Sequence, residues 1–270
     1  MPTIGFIGVG RVGEPMVERL IAAGHDVWCH SRRAEVVHRL ELLGAHCVAA
    51  PADLASRDVV ISCLYSDAEM LDVAPEMIDA MMPGSIFISH TTGTTMALEE
   101  LAVIGRKRSV GIVDAGFSGS SESVRAGTLT LFLGGATADV DRAKEVLKAY
   151  GSVLIGTGDL GSGMRVKVLN NLLFAAISQS TLGLLKAASR MGIDEPSLLR
   201  ALQASSGASA AAELIRSRGG ADPFIQRVEP FMRKDVDVAA RMATAMNVDL
   251  TALLAAASAG PMNLTPPGDH

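Results

Sequence analysis

From Thr3 to Gly13 the chain reads Thr-Ile-Gly-Phe-Ile-Gly-Val-Gly-Arg-Val-Gly, an apolar run that stops at Gly8 and then meets glycine again at 10 and 13. No other feature restricts the fold so sharply. Thr3 to Gly8 has the composition of a buried strand. Val12 to Ala23 then sets Met16, Val17, Leu20 and Ile21 at helical spacing, and Gly24 stands where a helix C-terminus favours glycine. With 27 glycines in the chain, the spacing alone says little. What gives it weight is the strand before it and the helix after it. In such a unit the first glycine permits a tight turn, the second lets the backbone approach a pyrophosphate, and the third lets the helix pack on the strand. Exposed N–H groups and the helix dipole then favour phosphate. Gly8, Val9, Gly10, Arg11, Val12 and Gly13 are therefore the candidate dinucleotide-phosphate loop.

The first half of the chain continues in the same grammar. Asp26–His30, Val59–Leu64, Ser85–Ser89, Val110–Ala115 and Thr128–Leu133 read as strands. Helical stretches are expected at 36–43, 98–106 and 140–150, among these strands. Alternation of this kind implies a mostly parallel sheet covered by helices. From Met164 onward strand signals cease, and apolar residues recur three and four apart. Helices are expected at 164–191, 195–205, 208–218, 231–246 and 250–259, with Asp194 as an N-cap and Pro196 in the first turn after it. The cluster Gly156, Gly158, Gly161 and Gly163 reads as a hinge before the long helix, and Pro261–His270 as a frayed end. The expected fold is α/β, a Rossmann-type doubly wound sheet over residues 1–160, with an all-α domain over 161–270.

Composition narrows the function. The net charge of −5 argues against a sequence-blind grip on nucleic acid. Leu169–Ala188 is apolar but interrupted by Asn170, Asn171, Gln179 and Lys186, which argues against a membrane span. The N-terminus lacks the basic, apolar and small-residue pattern of a secretory signal. Cys29, Cys47 and Cys63 form no C-x-x-C pair, so reduced thiols and a cytoplasmic location are expected. The 6 histidines form no metal-ligand pattern, and no metal is expected.

The residue after the second strand selects the cofactor. NAD-binding loops place a carboxylate there for the ribose 2′-hydroxyl. This chain has His30-Ser31-Arg32-Arg33 instead. A hydroxyl and two guanidiniums suit a 2′-phosphate, so Ser31, Arg32 and Arg33 point to NADP over NAD.

Several motifs together now resemble the β-hydroxyacid dehydrogenase family, which includes 3-hydroxyisobutyrate dehydrogenases and semialdehyde reductases. The loop FIGVGRVGEPM resembles the family's cofactor loop. Asp114-Ala-Gly-Phe-Ser-Gly-Ser120, continued by Ala126-Gly-Thr-Leu-Thr130, resembles its D-A-P-V-S-G-G substrate motif. The segment from Gly158 to Asn171 resembles its catalytic G-x-x-G-x-G-x-x-x-K-x-x-N-N motif, and Lys234-Asp235-Val236 its distal K-D-L. The resemblance implies that Lys167 is the general acid/base, suited to that exchange by a lowered pKa, and that Asn171 holds the substrate oxygen or the lysine. Four residues apart, these two share a helix face. It further implies that Ser118, Gly119 and Ser120 bind a substrate carboxylate. Leu64 and Tyr65 would lie beside the adenosine half, Thr92 at the nicotinamide ribose, and Lys234 would reach the cofactor from the helical domain. Arg125 is a further cation available to a carboxylate substrate.

The implied activity is hydride transfer between NADP(H) and a small β-hydroxyacid or its semialdehyde, by a homodimer. Departures are Gly116 for the family's proline, Phe117 for valine, Ser120 for its second glycine, Tyr65 for the proline of its L-P pair, and a short C-terminus. Two other readings stand beside it. One is a non-catalytic NADP-binding or interaction module, which would not need the Lys167–Asn171 pair. The other is an imine-type reductase on the same scaffold, whose members generally lack the lysine.

Overall fold

The computed structural model describes residues 1–265. Its first compact unit, Met1–Lys167, holds all eight strands. In chain order these and their helices are β1 (Thr3–Ile7), α1 (Gly13–Ala22), β2 (Asp26–His30), α2 (Ala34–Leu42), β3 (His46–Cys47), a 3₁₀ turn (Pro51–Ser56) and β4 (Val59–Ser62). Next come α3 (Asp67–Leu71), α4 (Ala74–Ala80), β5 (Ile86–Ser89), α5 (Thr95–Arg108), β6 (Gly111–Ser118), α6 (Ser121–Ala126), β7 (Leu129–Gly134), α7 (Thr137–Leu147) and β8 (Gly151–Gly158). The strands form one sheet in the order β3-β2-β1-β4-β5-β6-β7-β8. All pairs are parallel except β6–β7.

The strand residues explain the burial. β4 and β5 (VVIS, IFIS) are buried throughout, as expected of parallel strands with both faces covered. One face of the sheet packs Ile4, Phe6, Val27, Ile61 and Ile88 against α1 and its neighbours, through Met16, Val17 and Leu20. The other packs Ile7, Val60 and Phe87 against Met77, Ile78 and Leu101 of α4 and α5. Strand order reverses between β1 and β4, both neighbours of the point where ligands settle in open α/β sheets.

The second compact unit, Val168–His270, is helical in its described part. The chain passes into it within α8 (Ser162–Arg190) and continues through α9 (Glu195–Gln203), α10 (Ala210–Ser217), α11 (Ala221–Met246) and α12 (Thr251–Ser258). Asp194 caps α9, accepting from the Ser197 amide at 2.9 Å. By length and composition α8 could cross a membrane, but half of its most apolar stretch is buried inside the protein.

Three expectations need correction. The glycine cluster does not form a hinge. Gly156 and Gly158 belong to strand β8, and Gly163 lies in the first turn of α8, where a Cβ would stand 2.2 Å from the Phe132 carbonyl oxygen. Helix α11 begins ten residues earlier than Phe231, running through Pro223 in its first turn and Pro230 in its interior. The described part of 261–270 is packed, with Met262 and Leu264 buried and Gln179 bonded to both backbone groups of Met262. Residues 266–270 of that stretch lie outside the described residues.

Candidate active site

The glycine loop separates its three tasks by geometry. Gly8 has φ +90°, and a Cβ there would lie 2.3 Å from the Cys63 carbonyl oxygen. At Gly13 a Cβ would lie 2.2 Å from the Gly8 carbonyl oxygen, so α1 rests directly on the turn. Gly10 differs from both: its nearest neighbour would be 4.0 Å away, leaving its backbone open to an approaching group. That is the cradle a pyrophosphate requires, so the loop fits a dinucleotide.

A cavity of about 420 Å³ lies over the β1–β4 ends. It is lined by Gly8, Val9, Gly10, Ser31, Arg32, Arg33, Leu64 and Tyr65 from the sequence reading. His30, Pro51, Cys63, Glu69, Asp72 and Val73 also line it and were not singled out by sequence. His30 ends β2, Cys63 follows β4, Pro51 opens the 3₁₀ turn, and Glu69, Asp72 and Val73 lie in or just after α3. Arg11, Val12, Gly13 and Thr92 are not in the lining: Gly13 is spent on packing, and Thr92 sits in the loop after β5. The Arg33 guanidinium donates to the Val9 carbonyl at 2.8 Å, tying the end of β2 to the glycine loop. Arg32 is exposed at the rim. Glu14, in the first turn of α1, accepts two bonds from Arg39 at 2.9 and 2.6 Å. That pairing offsets a negative charge otherwise hostile to phosphate.

A second constellation centres on β6 and the start of α8. A Cβ at Gly116 would stand 2.7 Å from the Lys167 Cβ and 3.1 Å from the Gly163 carbonyl oxygen. The lysine-bearing turn thus lies against this point of the strand; nothing in the structure explains why glycine stands where the family has proline. The Lys167 Nζ lies 5.5 Å from the centroid of the Phe117 ring, within cation–π range. Lys167 itself is half-buried.

Asp114, three residues before Phe117, is fully buried. Its Oδ1 accepts from the Gly161 amide and its Oδ2 from the Met164 amide, each at 2.6 Å. Burial pushes its carboxyl pKa up, opposed by those amides and by Arg165. A carboxylate in the apolar run Val110–Ala115 was the signal for it in sequence. His90, at the end of β5, is buried, and burial pushes its pKa down to about 4. It is therefore neutral at pH 7: Nδ1 donates to the Ala115 carbonyl at 2.6 Å, and Nε2 accepts from the Tyr150 hydroxyl at 2.9 Å. Its ring meets the Phe117 ring edge-on at 5.8 Å.

Other sequence candidates are committed to structure. The Ser120 hydroxyl caps α6, accepting from the Ser123 amide at 3.5 Å and donating to Glu122 at 2.6 Å. Arg125 pairs with Glu18 at 3.7 Å. Ser118 closes β6, and Gly119 follows with φ +136°. In the helical unit the Asn171 amide donates to Asp235 at 2.6 Å, and its oxygen accepts from Asn170 at 3.1 Å. Lys234 is the α11 residue just before Asp235. Among the described residues no group of three or more His, Cys, Asp or Glu is arranged to hold a metal ion.

Comparison with known proteins bears on both units. The family model described as "NAD binding domain of 6-phosphogluconate dehydrogenase" matches residues 3–158. The one described as "NAD-binding of NADP-dependent 3-hydroxyisobutyrate dehydrogenase" matches 161–260. An uncharacterized oxidoreductase of Shewanella frigidimarina is 30% identical over 72% of this chain and 68% of its own length. The mitochondrial 3-hydroxyisobutyrate dehydrogenase of Rattus norvegicus is 31% identical over 76% of this chain and 62% of its own. The chain thus spans about two thirds of the curated relatives it matches. The structure of the Mycobacterium tuberculosis 3-hydroxyisobutyrate dehydrogenase with L-serine superposes with a TM-score of 0.86 at 24% identity, over 96% of this chain and 92% of that one, and shares the fold. Its own glycine cradle fits a nicotinamide dinucleotide, and the matches cover the strand-rich unit and most of the helical one: the chain belongs to the β-hydroxyacid dehydrogenase family.

Proposed function

We propose that this protein transfers hydride reversibly between NADP(H) and a small β-hydroxyacid or its semialdehyde, with Lys167 as the general acid/base. The observation that carries the reading is the seating of Lys167 on Gly116, two residues before Ser118 of the substrate motif. Gly116 and Lys167, 51 residues apart in sequence, thereby share one place. When bound, the nicotinamide supplies the hydride chemistry. The chain supplies the rest. In reduction the Lys167 ammonium donates a proton to the carbonyl oxygen; in oxidation its neutral amine takes the hydroxyl proton. Ser118 and the Gly119 amide hold the substrate carboxylate, while Ser120 shapes the loop by capping α6. The family resemblance gives Asn171 the role of holding the substrate oxygen or the lysine; its amide donates to Asp235 at 2.6 Å. Arg32 and Arg33, with no carboxylate at the β2 tip, support NADP over NAD.

The test is a titration with NADPH and NADH, followed by turnover of small semialdehydes and cyclic imines with NADPH and of β-hydroxyacids with NADP+. Tight NADPH binding and turnover on an acid are expected. Turnover on imines alone would move the assignment to an imine reductase, and absence of NADPH binding would overturn the loop. Lys167→Ala should cut kcat about 100-fold or more with NADPH affinity unchanged. Unchanged kcat would remove Lys167 from the chemistry. The same reading has the protein act as a cytoplasmic homodimer. Exposed Leu169, Leu173, Leu184 and Phe231 on the helical unit support self-association, which light scattering measures directly.

A further inference from the structure

We propose that Asp114 is a positioning residue for Lys167, anchoring the first turn of α8 to strand β6; the inference rests on Lys167 being the acid/base. A helix start is ordinarily capped by a neighbour in sequence. Here the capping position before Ser162, the first residue of α8, is Gly161, which has no side chain, and the Ser162 hydroxyl is engaged with Thr157 Oγ1 at 2.7 Å. The cap comes from across the fold: both oxygens of Asp114 take amides of this turn, Gly161 and Met164, at 2.6 Å each. Two glycines clear the space around that carboxylate. A Cβ at Gly134 would stand 2.4 Å from Oδ1, and one at Gly163 2.9 Å from Oδ2.

This anchor is more than the fold requires. A valine at 114 would continue the buried strand without the cost of an interior charge. The carboxylate adds register. Met164 and Lys167 are about one helical turn apart, about 4.5 Å along the axis. The strand that grips the Met164 amide also supplies Gly116 against the Lys167 Cβ and the Phe117 ring beside its Nζ. Fixing the turn at Asp114 therefore fixes where the ammonium stands relative to Ser118. Misplacement of a reacting group by about 1 Å costs about 100-fold in rate.

Asp114→Asn keeps the shape but turns an amide N–H toward one of the two backbone N–H groups. It should lower kcat about 10- to 100-fold, leave NADPH affinity unchanged, and shift the limb of the pH–rate profile that reports Lys167. Made on top of Lys167→Ala, the same change should cost less than about 2-fold, because a residue acting through Lys167 has nothing left to position. Asp114→Ser, which leaves only one hydroxyl oxygen for the two amides, provides the same comparison should Asp114→Asn not fold. It too should lower kcat in the wild-type background and little in Lys167→Ala. Equal losses in both backgrounds, or a wild-type kcat and pH profile for the folded variant, would overturn the inference while leaving the role of Lys167 intact. Full turnover by Lys167→Ala would instead bring down the role of the lysine and this inference with it.

Discussion

In the unit Met1–Lys167 several glycines stand where one backbone lies on another. A Cβ at Gly13 would meet the Gly8 carbonyl oxygen at 2.2 Å, and one at Gly105 the Val110 carbonyl oxygen at 2.7 Å. In the unit Val168–His270 the tightest places are polar side chains reaching for backbone. Gln179, fully buried, donates to the Ala257 carbonyl at 3.1 Å and the Met262 carbonyl at 2.8 Å, and accepts from the Met262 amide at 3.0 Å. A sheet with helices on both faces must let chains approach closely; a helical unit must tie down a segment that has no ladder to join. Damage should therefore follow opposite routes: overpacking in the first unit, unpaired polar groups in the second.

Gln179→Leu tests the second route and carries the largest expected effect. The volume is nearly kept, but three buried backbone groups lose their partner, each worth about 1–3 kcal/mol if it stays dry. Release of the segment after Ala257 to water would relieve part of this. We expect a loss of about 4 kcal/mol in urea unfolding, with faster amide exchange confined to Ala257–Leu264. A loss below about 1 kcal/mol would mean that apolar packing of Met262 and Leu264 holds the segment without the glutamine.

The first unit has buried polar groups of its own, Asp114 and His90, and pH reads the second. His90 titrates near 4 when folded, because burial disfavours the imidazolium, against 6.5 when unfolded. A folded pKa below the unfolded one means that the unfolded chain binds the extra proton. Stability is therefore whole above pH 6.5 and falls as pH drops toward 4, by about 3 kcal/mol for this shift. His90→Gln should lower stability at pH 7, through the bonds to Ala115 and Tyr150, yet flatten the slope between pH 6.5 and 4. Parallel slopes for the two proteins would exclude His90 as the source.

How far sequence alone exposes these arrangements follows from the same contrast. The glycine loop was legible because strand, turn and helix lie within about 20 residues and each glycine has a local reason. The pairing of Lys167 with β6 was legible only as two motifs; that Gly116 is the point of contact depends on the sheet. Strand β8 is not apparent in sequence, because Gly151, Gly156 and Gly158, three of its eight residues, dilute its apolar run, and the last two fall in the cluster that reads as a hinge. Only its ladder to β7 makes it a strand. The early start of α11 was hidden by Pro230, which ordinarily ends a helix. Asp114 was visible as a motif residue, but its two amide partners come from 47 and 50 residues away.

Gly13→Ala tests overpacking. Two effects oppose each other. Alanine gains up to about 1 kcal/mol of helix propensity over glycine. Overpacking costs about 1–3 kcal/mol, here at the upper end because the obstacle is a backbone carbonyl rather than a flexible side chain. The clash should win by about 2 kcal/mol and weaken NADPH binding, because Gly8 and α1 must move apart. A stabilised protein with unchanged affinity would mean that the turn gives way freely.

The smallest effect sharpens the comparison with a matched pair. Each unit ends one helix with a non-glycine residue in the left-handed region: Ser109 after α5, at φ 56° and ψ 40°, and Asn247 after α11, at φ 51° and ψ 47°. Both are exposed, so replacing either side chain with hydrogen loses little packing. The left-handed conformation costs an ordinary residue about 1–2 kcal/mol and asparagine less, because its short amide bonds locally. Ser109→Gly should therefore stabilise the protein by about 0.5–1 kcal/mol and Asn247→Gly by less than about half of that, even after the entropy that glycine loses on folding. Equal gains would show that the amide of Asn247 contributes nothing to its turn. A loss at Ser109 would show that the serine hydroxyl, rather than the backbone carbonyl that accepts from Gly84 at 2.7 Å, holds the end of α5 in place.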